Sequence, residues 1–173
     1  MPVEKHGIAA DEFRLAFRHH AGGVVVITLD GGAGPVGFTA TSLTSVSADP
    51  PMLSFAIGHT TSSWPHLNGA SSVVVNFLSH DQHDIATIFA TSNIDRFAAP
   101  TRWHRLPTGE PVLDHARRWL RCDIRRRIPV GDHHLIVGEI TDISAPAVEF
   151  ESALVYHGGT FHPVGHGRPV GHG

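Results

Sequence analysis

GFTATSLTSVSADPPMLSFAI, residues 37–57, is the stretch around which the rest of the chain can be organised. Gly37–Pro51 holds three threonines, three serines and no lysine or arginine, and it ends in a double proline. An apolar run, Met52–Ile57, follows at once. Val36–Ala40, Leu43–Ser47 and Met52–Ile57 each have the length and composition of a strand, so three short strands are predicted here.

The strand pattern continues on both sides of this stretch. Val24–Leu29 is short and β-branched, and Asp30–Pro35 is a turn that returns the chain into the next strand. Residues 120–125 alternate between apolar and charged side chains, as in a half-exposed strand. Further strands are predicted over Ser72–Leu78, His133–Ile143, Leu154–Tyr156 and Thr160–Val164. Regular short strands, without the strand–helix alternation of a doubly wound sheet, predict a mostly β barrel.

A few short helices are predicted between the strands. Asp11 is expected to cap the first helix, whose apolar face includes Phe13. Ser62 or Ser63 is expected to cap the second, with Pro65 in its first turn, where a missing N–H costs little. A third helix is predicted from the apolar stripe Ile85, Ile88 and Phe89.

Length, charge and cysteine content limit the classes of protein. The 173 residues predict one domain, residues 1–164, followed by a disordered glycine and histidine tail, residues 165–173. The net charge of −3 gives no basic field for nucleic acid, which is not expected as a partner. No apolar run approaches the roughly 18 residues that span a membrane, so no membrane partner is expected. The single cysteine, Cys122, favours the cytoplasm.

The hydroxyl residues of 39–42 have two interpretations. Small hydroxyl side chains beside backbone N–H groups suit a flat, polar, partly anionic ligand. A strand rich in threonine and serine that only pairs within a sheet is the alternative, and composition alone favours it. No metal site is predicted, because His80 and His83 lack a third ligand.

Ordered landmarks along the chain are together specific. They are Gly22–Thr28, Gly37–Ser42, Ser45–Ser47, Pro50–Pro51, Ser63–Trp64, Val75–Leu78, Phe89–Ala90, Arg96–Phe97, Gly131–His133, Tyr156, Gly159 and Phe161. From about Phe13 to Pro163 the chain resembles the short flavin reductases that supply reduced flavin to two-component monooxygenases. The resemblance implies an antiparallel Greek-key split β-barrel that forms a homodimer, with flavin sites near the subunit interface.

The same resemblance implies the activity. NADH or NADPH would reduce FMN or FAD by hydride transfer to flavin N5, and reduced flavin would diffuse to a separate flavin-dependent oxygenase. The family often carries basic residues near His59 and around Gly158 and Thr160, where this chain has none. Two alternatives therefore stay open: a flavin-binding protein with little reductase activity, and an enzyme that oxidises an organic substrate with retained flavin.

The resemblance also implies a flavin wall and a phosphate site. The wall would comprise Thr39, Ala40, Thr41, Ser42, Val46 and Ser47. Ser62 and Ser63, at a helix start, would bind the phosphate, with Arg96 as its cationic partner. Phe97 would line the flavin or nicotinamide side, or else belong to the core. An ordinary helix cap and a solvated surface arginine are the alternatives for the phosphate site.

His133 is the predicted catalytic residue. It follows Gly131 and Asp132, and the resemblance puts this histidine beside the nicotinamide, where it would orient the carboxamide or assist the proton balance at flavin N1. A strand-start histidine paired with Asp132 is the alternative. His134 is predicted to be its exposed neighbour.

Overall fold

The computed structural model describes residues 7–114, 116–145 and 152–165, and within these ranges the chain forms three helices and twelve strands. The helices are α1 (Ala10–Arg18), α2 (Trp64–Gly69) and α3 (His83–Ala90). The strands are β1 (Gly22–Gly23), β2 (Val25–Asp30), β3 (Pro35–Ala40), β4 (Thr44–Ala48), β5 (Pro51–Gly58), β6 (Ser72–Phe77), β7 (Trp103–Arg105), β8 (Pro111–Leu113), β9 (Arg118–Val130), β10 (His133–Ile143), β11 (Ser152–His157) and β12 (Thr160–Gly165). The fold is mostly β, as the strand pattern predicts.

Seven strands form one antiparallel sheet in the order β3-β2-β6-β9-β10-β5-β4. Flat, such a sheet would hold its two edge strands roughly 29 Å apart. Only residues 41–43 connect edge strand β3 to edge strand β4, and that connection reaches about 14 Å. The sheet must therefore curl on itself. Ser42, in that connection, accepts at Oγ a hydrogen bond from the N–H of Ala56 on β5 at 2.9 Å, which holds the end of β3 beside β5. The curled sheet is the Greek-key split barrel.

Alternation along the strands produces the core. On β5, Leu53, Phe55 and Ile57 are buried, while the residues between them are half-buried. They join the side chains of β2 and β6 in one cluster inside the barrel. A second cluster contains Val26, Leu78 and Phe89 and lies between the barrel and α3.

Helix α3 packs closely on β3 because Gly37 has no side chain. A Cβ at Gly37 would lie 2.6 Å from the ring of Phe89 and 3.1 Å from the carbonyl oxygen of Ile27. Thr39 Oγ1 donates to the carbonyl oxygen of Ala86 on α3 at 2.6 Å. These contacts hold α3 beside the end of β3.

Three boundary predictions differ from the structure. The strand predicted over residues 120–125 is longer and forms β9, Arg118–Val130. The N-cap of α1 is Ala9, not Asp11; Asp11 lies in the first turn and pairs with Arg14 at 2.8 Å. The predicted tail begins at Gly165, which is instead the last residue of β12, and the rest of that tail lies outside the described residues. None of the helices in the described ranges combines the length and the apolar character that crossing a bilayer requires.

Candidate functional site

A cavity of about 740 Å³ opens where the end of β3 meets β5, α2 and α3. This volume is within the range of roughly 300–1,000 Å³ typical of small-molecule sites. The predicted site residues among its lining are Thr39, Ala40, Thr41, Ser42, Ser62, Ser63, Arg96 and His133. Residues separated by more than 90 positions in the sequence are thus brought to one cleft.

Two hydroxyl groups of the wall at the end of β3 make hydrogen bonds within the protein and are not free for a ligand. Thr39 Oγ1 bonds to α3, and Ser42 Oγ both accepts from the N–H of Ala56 and donates to its carbonyl oxygen, at 2.9 and 3.3 Å. Thr41 is exposed at the cavity, and its hydroxyl has no partner within the described part of the chain. Ala40 is small and buried. This wall therefore offers main-chain amides and the Thr41 hydroxyl to a ligand.

A second wall is built from Thr60, Thr61, Ser62 and Ser63, which precede α2. Ser63 occupies the N-cap position, but its side chain makes no capping hydrogen bond. It is only 2% exposed, and its Oγ lies 3.4 Å from Arg96 Nη1, which donates to it. The Ser63 hydroxyl thus serves Arg96 and the cavity rather than the helix cap.

Arg96 closes one end of the cavity. Its Nη1 donates to the carbonyl oxygen of Gly37 at 2.7 Å, and its Nε donates to that of Thr91 at 2.9 Å. Burial lowers the pKa of Arg96, but an arginine keeps its charge at neutral pH. The result is a fixed positive charge at the cavity end.

His133 also lines the cavity. It begins β10 directly opposite Gly58 on β5, and its Nδ1 lies 2.7 Å from Asp132 Oδ1. That hydrogen bond lowers the pKa of the exposed Asp132 carboxyl. Gly131 makes the preceding turn with a φ of +59°, a conformation that favours glycine. The carboxylate orients the imidazole and leaves Nε2 toward the cavity side, where it lies 3.7 Å from the position of a Cβ on Gly58.

His134 differs from its prediction as an exposed neighbour. It is half-buried, and its imidazole stacks on Trp64 with ring centroids 3.8 Å apart. The reason is the alternation along β10, which turns His134 to the opposite face from His133.

Three predicted site residues do not line this cavity. Val46 and Ser47 are on edge strand β4, and the Val46 side chain is exposed. Phe97 packs edge-on against Phe89 and Trp103 in the second core cluster and borders a smaller adjoining hollow. These three assignments remain predictions that the cavity itself does not support.

Sequence reasoning missed four polar residues of the cavity lining. They are Thr60, Thr61, Ser92 and Asn93. A signal was present for the first two, because Thr60–Ser63 is a second run of hydroxyl residues. Asn93 has a φ of +60°, which asparagine tolerates in loops.

The chemistry of the lining is that of a binding cleft for a polar, anionic ligand. It combines uncharged hydroxyls, main-chain amides, one arginine and one histidine. Within the described ranges, no group of three or more histidine, cysteine, aspartate or glutamate residues could hold a metal ion.

A family model described as the flavin reductase like domain matches residues 17–165. The chain belongs to this flavin reductase family. It is 46% identical over 163 residues to an NADH:FMN oxidoreductase of Rhodococcus qingshengii, covering 93% of this chain and 85% of that protein. It is 34% identical to the reductase component of the flavin-dependent trigonelline monooxygenase of Acinetobacter baylyi, covering 88% of this chain and 49% of that protein.

A solved structure from the flavin reductase family has the same fold. The NADH:FAD oxidoreductase of Streptomyces globisporus, in complex with NAD and FAD fragments, superposes with a TM-score of 0.81 at 30% identity. The alignment covers 94% of each chain.

The residues present fit a flavin of this family. Ala40 and Gly58 both line the cleft, and their small size leaves space for a flat ring system. Arg96, with the Ser62 and Ser63 hydroxyls, forms a donor set suited to a phosphate group. The volume, the donors and the single cation therefore agree with a flavin nucleotide.

Proposed function

We propose that this protein is an NAD(P)H:flavin oxidoreductase that provides reduced flavin to a partner oxygenase. The observation that carries the proposal is the cleft itself, in which a hydroxyl and amide wall runs between a fixed cation, Arg96, and an oriented imidazole, His133. Such a site binds and aligns two ring systems without needing an acid–base triad.

Each wall has a separate role in the proposal. A bound flavin supplies the electron-accepting ring system. The amides of residues 40–42 and the Thr41 hydroxyl orient the ring and stabilise negative charge on its oxygens. Arg96, Ser62 and Ser63 bind the phosphate. His133 orients the nicotinamide carboxamide through Nε2, while Asp132 holds its Nδ1.

The homodimer is part of the proposal. Phe13 and Phe17 on α1 are 58% and 57% exposed, and Val46, Val130 and Ile143 are also exposed. The rings of Phe13 and Phe17 lie side by side, with centroids 4.7 Å apart, and adjacent exposed apolar side chains favour a subunit interface. Light scattering after size-exclusion chromatography should give twice the mass of one chain; the mass of one chain would contradict a dimer.

The lone buried Cys122 supports a cytoplasmic location within the same proposal.

Steady-state assays test the proposed activity. NADH and NADPH oxidation should be measured with FMN, FAD and no flavin, together with flavin retention on gel filtration. We expect oxidation that depends on added flavin, and flavin that exchanges freely. Tight retention of flavin without nicotinamide oxidation would instead support a flavin-carrying protein. Turnover of a small organic compound with retained flavin would support an oxidase.

A further inference from the structure

A smaller hollow of about 210 Å³ adjoins the candidate-site cavity of about 740 Å³ (the main cavity). The two share Ser62, Ser63 and Arg96 as lining residues. The hollow is otherwise bordered by Pro35, Val36, Gly37, His66, Ile94, Asp95 and Phe97. Arg96 therefore stands between a large cleft and a small one.

Arg96 is held in place as a partition. Its hydrogen bonds to the carbonyl oxygens of Gly37 and Thr91 fix two guanidinium nitrogens. Its own carbonyl oxygen accepts from Thr101 Oγ1 at 2.8 Å, which fixes the backbone. Swinging the side chain aside would break these bonds and leave carbonyl groups without a partner, which costs free energy. Within the described ranges, Nη2 has no partner and remains available to a ligand.

Asp95 places a negative charge on the far side of the partition. Asp95 borders the hollow and is not among the lining residues of the main cavity. Oδ1 accepts a hydrogen bond from the N–H of Phe97 at 3.0 Å, so the side chain is positioned. An anionic group that passed Arg96 would meet this carboxylate in a space much smaller than the main cavity.

We infer that Arg96 and Asp95 make the site selective for a flavin that ends in a single phosphate, FMN, over one that continues through a diphosphate to adenosine, FAD. This inference rests on the proposed function. A terminal phosphate carries close to two negative charges at neutral pH, and its oxygens can accept hydrogen bonds directly from Arg96. In FAD, a second phosphate and the adenosine continue beyond a phosphate held at Arg96, and a path through the adjoining hollow brings them to the like charge of Asp95.

Binding titrations with three ligands test the inference. The dissociation constants of riboflavin, FMN and FAD are measured by flavin fluorescence for the wild type, Asp95→Asn and Arg96→Gln. Asp84→Asn is the matched control, because Asp84 is an exposed carboxylate on α3 that borders neither space. Circular dichroism checks that each variant is folded. Asparagine keeps the acceptor for Phe97 N–H while removing the charge.

The wild type is expected to bind FMN at least about tenfold more tightly than FAD. Asp95→Asn should tighten FAD binding about fivefold relative to FMN. Arg96→Gln should weaken FMN binding about tenfold to hundredfold and leave riboflavin binding unchanged. Asp84→Asn should leave all three ratios as they are.

Equal affinity of the wild type for FMN and FAD would overturn the inference and leave the proposed function standing. An Asp95→Asn variant with an unchanged FAD to FMN ratio would do the same, even if Arg96→Gln fails to fold. A folded wild type that binds none of the three ligands would overturn the proposed function and this inference together.

Discussion

Trp64 stacks on His134, with ring centroids 3.8 Å apart and 15° between the ring planes. Trp64 is the first residue of α2, directly after Ser63, and His134 directly follows His133 on β10. The stacked pair therefore joins the two walls of the cleft that carry the proposed phosphate site and the proposed catalytic histidine. It also packs on the core inside the barrel, through Trp64.

Replacing Trp64 with leucine should loosen both walls together. We expect the free energy of unfolding to fall by about 2 kcal/mol, because packing and ring stacking are lost. Flavin affinity should fall as well. Trp119→Leu is the control, since Trp119 is half-buried on β9 and lines neither the main cavity nor the adjoining hollow. Urea unfolding and flavin titration measure the two effects; equal flavin affinity in both variants would rule out the coupling.

Replacing His133 with alanine should impair reduction more than binding. We expect the rate of flavin reduction by the nicotinamide to fall on the order of 100-fold, because the nicotinamide loses its alignment, with a small change in flavin affinity. His104→Ala is the control, because His104 forms an equally short pair with Asp114, 2.7 Å, outside the cavity. Stopped-flow reduction checks this. A loss of stability with an unchanged turnover rate would contradict the role of His133.

Acid should destabilise the protein through Glu110. This residue is 2% exposed and pairs with Arg121 at 2.9 Å. Burial alone would raise its pKa, but hydrogen bonds from Ser72, Thr108 and Arg121 prevail and lower it. Because the folded pKa is below the unfolded one, the stabilisation is present above the ordinary glutamate pKa of about 4.3 and is lost as pH falls through the folded value.

The measurement is urea unfolding at several pH values. Glu110→Gln should lose about 2 kcal/mol at neutral pH, because Arg121 loses its most buried partner and keeps Asp123 as its remaining carboxylate partner. The variant should also show a weaker decline in stability below about pH 4 than the wild type. Parallel acid curves for the two proteins would show that Glu110 does not carry the effect.

Cys122 should be unreactive while the protein is folded. The thiol is buried on β9, and burial raises its pKa to about 12. Very little thiolate forms at about pH 8, and alkylating reagents have no access to it. Mass spectrometry after iodoacetamide treatment should show no modification of the folded protein and one modification in urea. Rapid alkylation of the folded protein would contradict the burial.

Local patterns were sufficient for most of the strands but not for their lengths or their meeting points. The apolar alternation over residues 52–57 is contained in a few residues, so β5 could be predicted from the sequence. Arg96 contacts the carbonyl of Gly37, 59 residues earlier, and no local pattern encodes that contact. The same holds for Ser42 and Ala56, whose hydrogen bonds close the barrel.

The predicted wall residues show the same limit: a contiguous run can be predicted from the sequence, but long-range contacts cannot. Thr39 to Ser42 continue one strand into the cleft, so a contiguous run predicted a contiguous wall. Val46 and Ser47 lie on β4, after the connection that leads from one edge strand of the sheet, β3, to the other. The run of hydroxyl residues continues through this connection, so the sequence pattern does not show where the wall ends. On α1 the apolar face was predictable, but the pattern contains no information on what covers Phe13 and Phe17.

Anaerobic mixing of the protein with FMN and NADH is the most direct test of the proposed reductase activity. We expect rapid, protein-dependent bleaching of the visible flavin absorbance, followed by recovery of free reduced flavin in the filtrate of an ultrafiltration membrane. Bleaching no faster than in protein-free buffer, with NADH or NADPH and with FMN or FAD, would contradict the assignment.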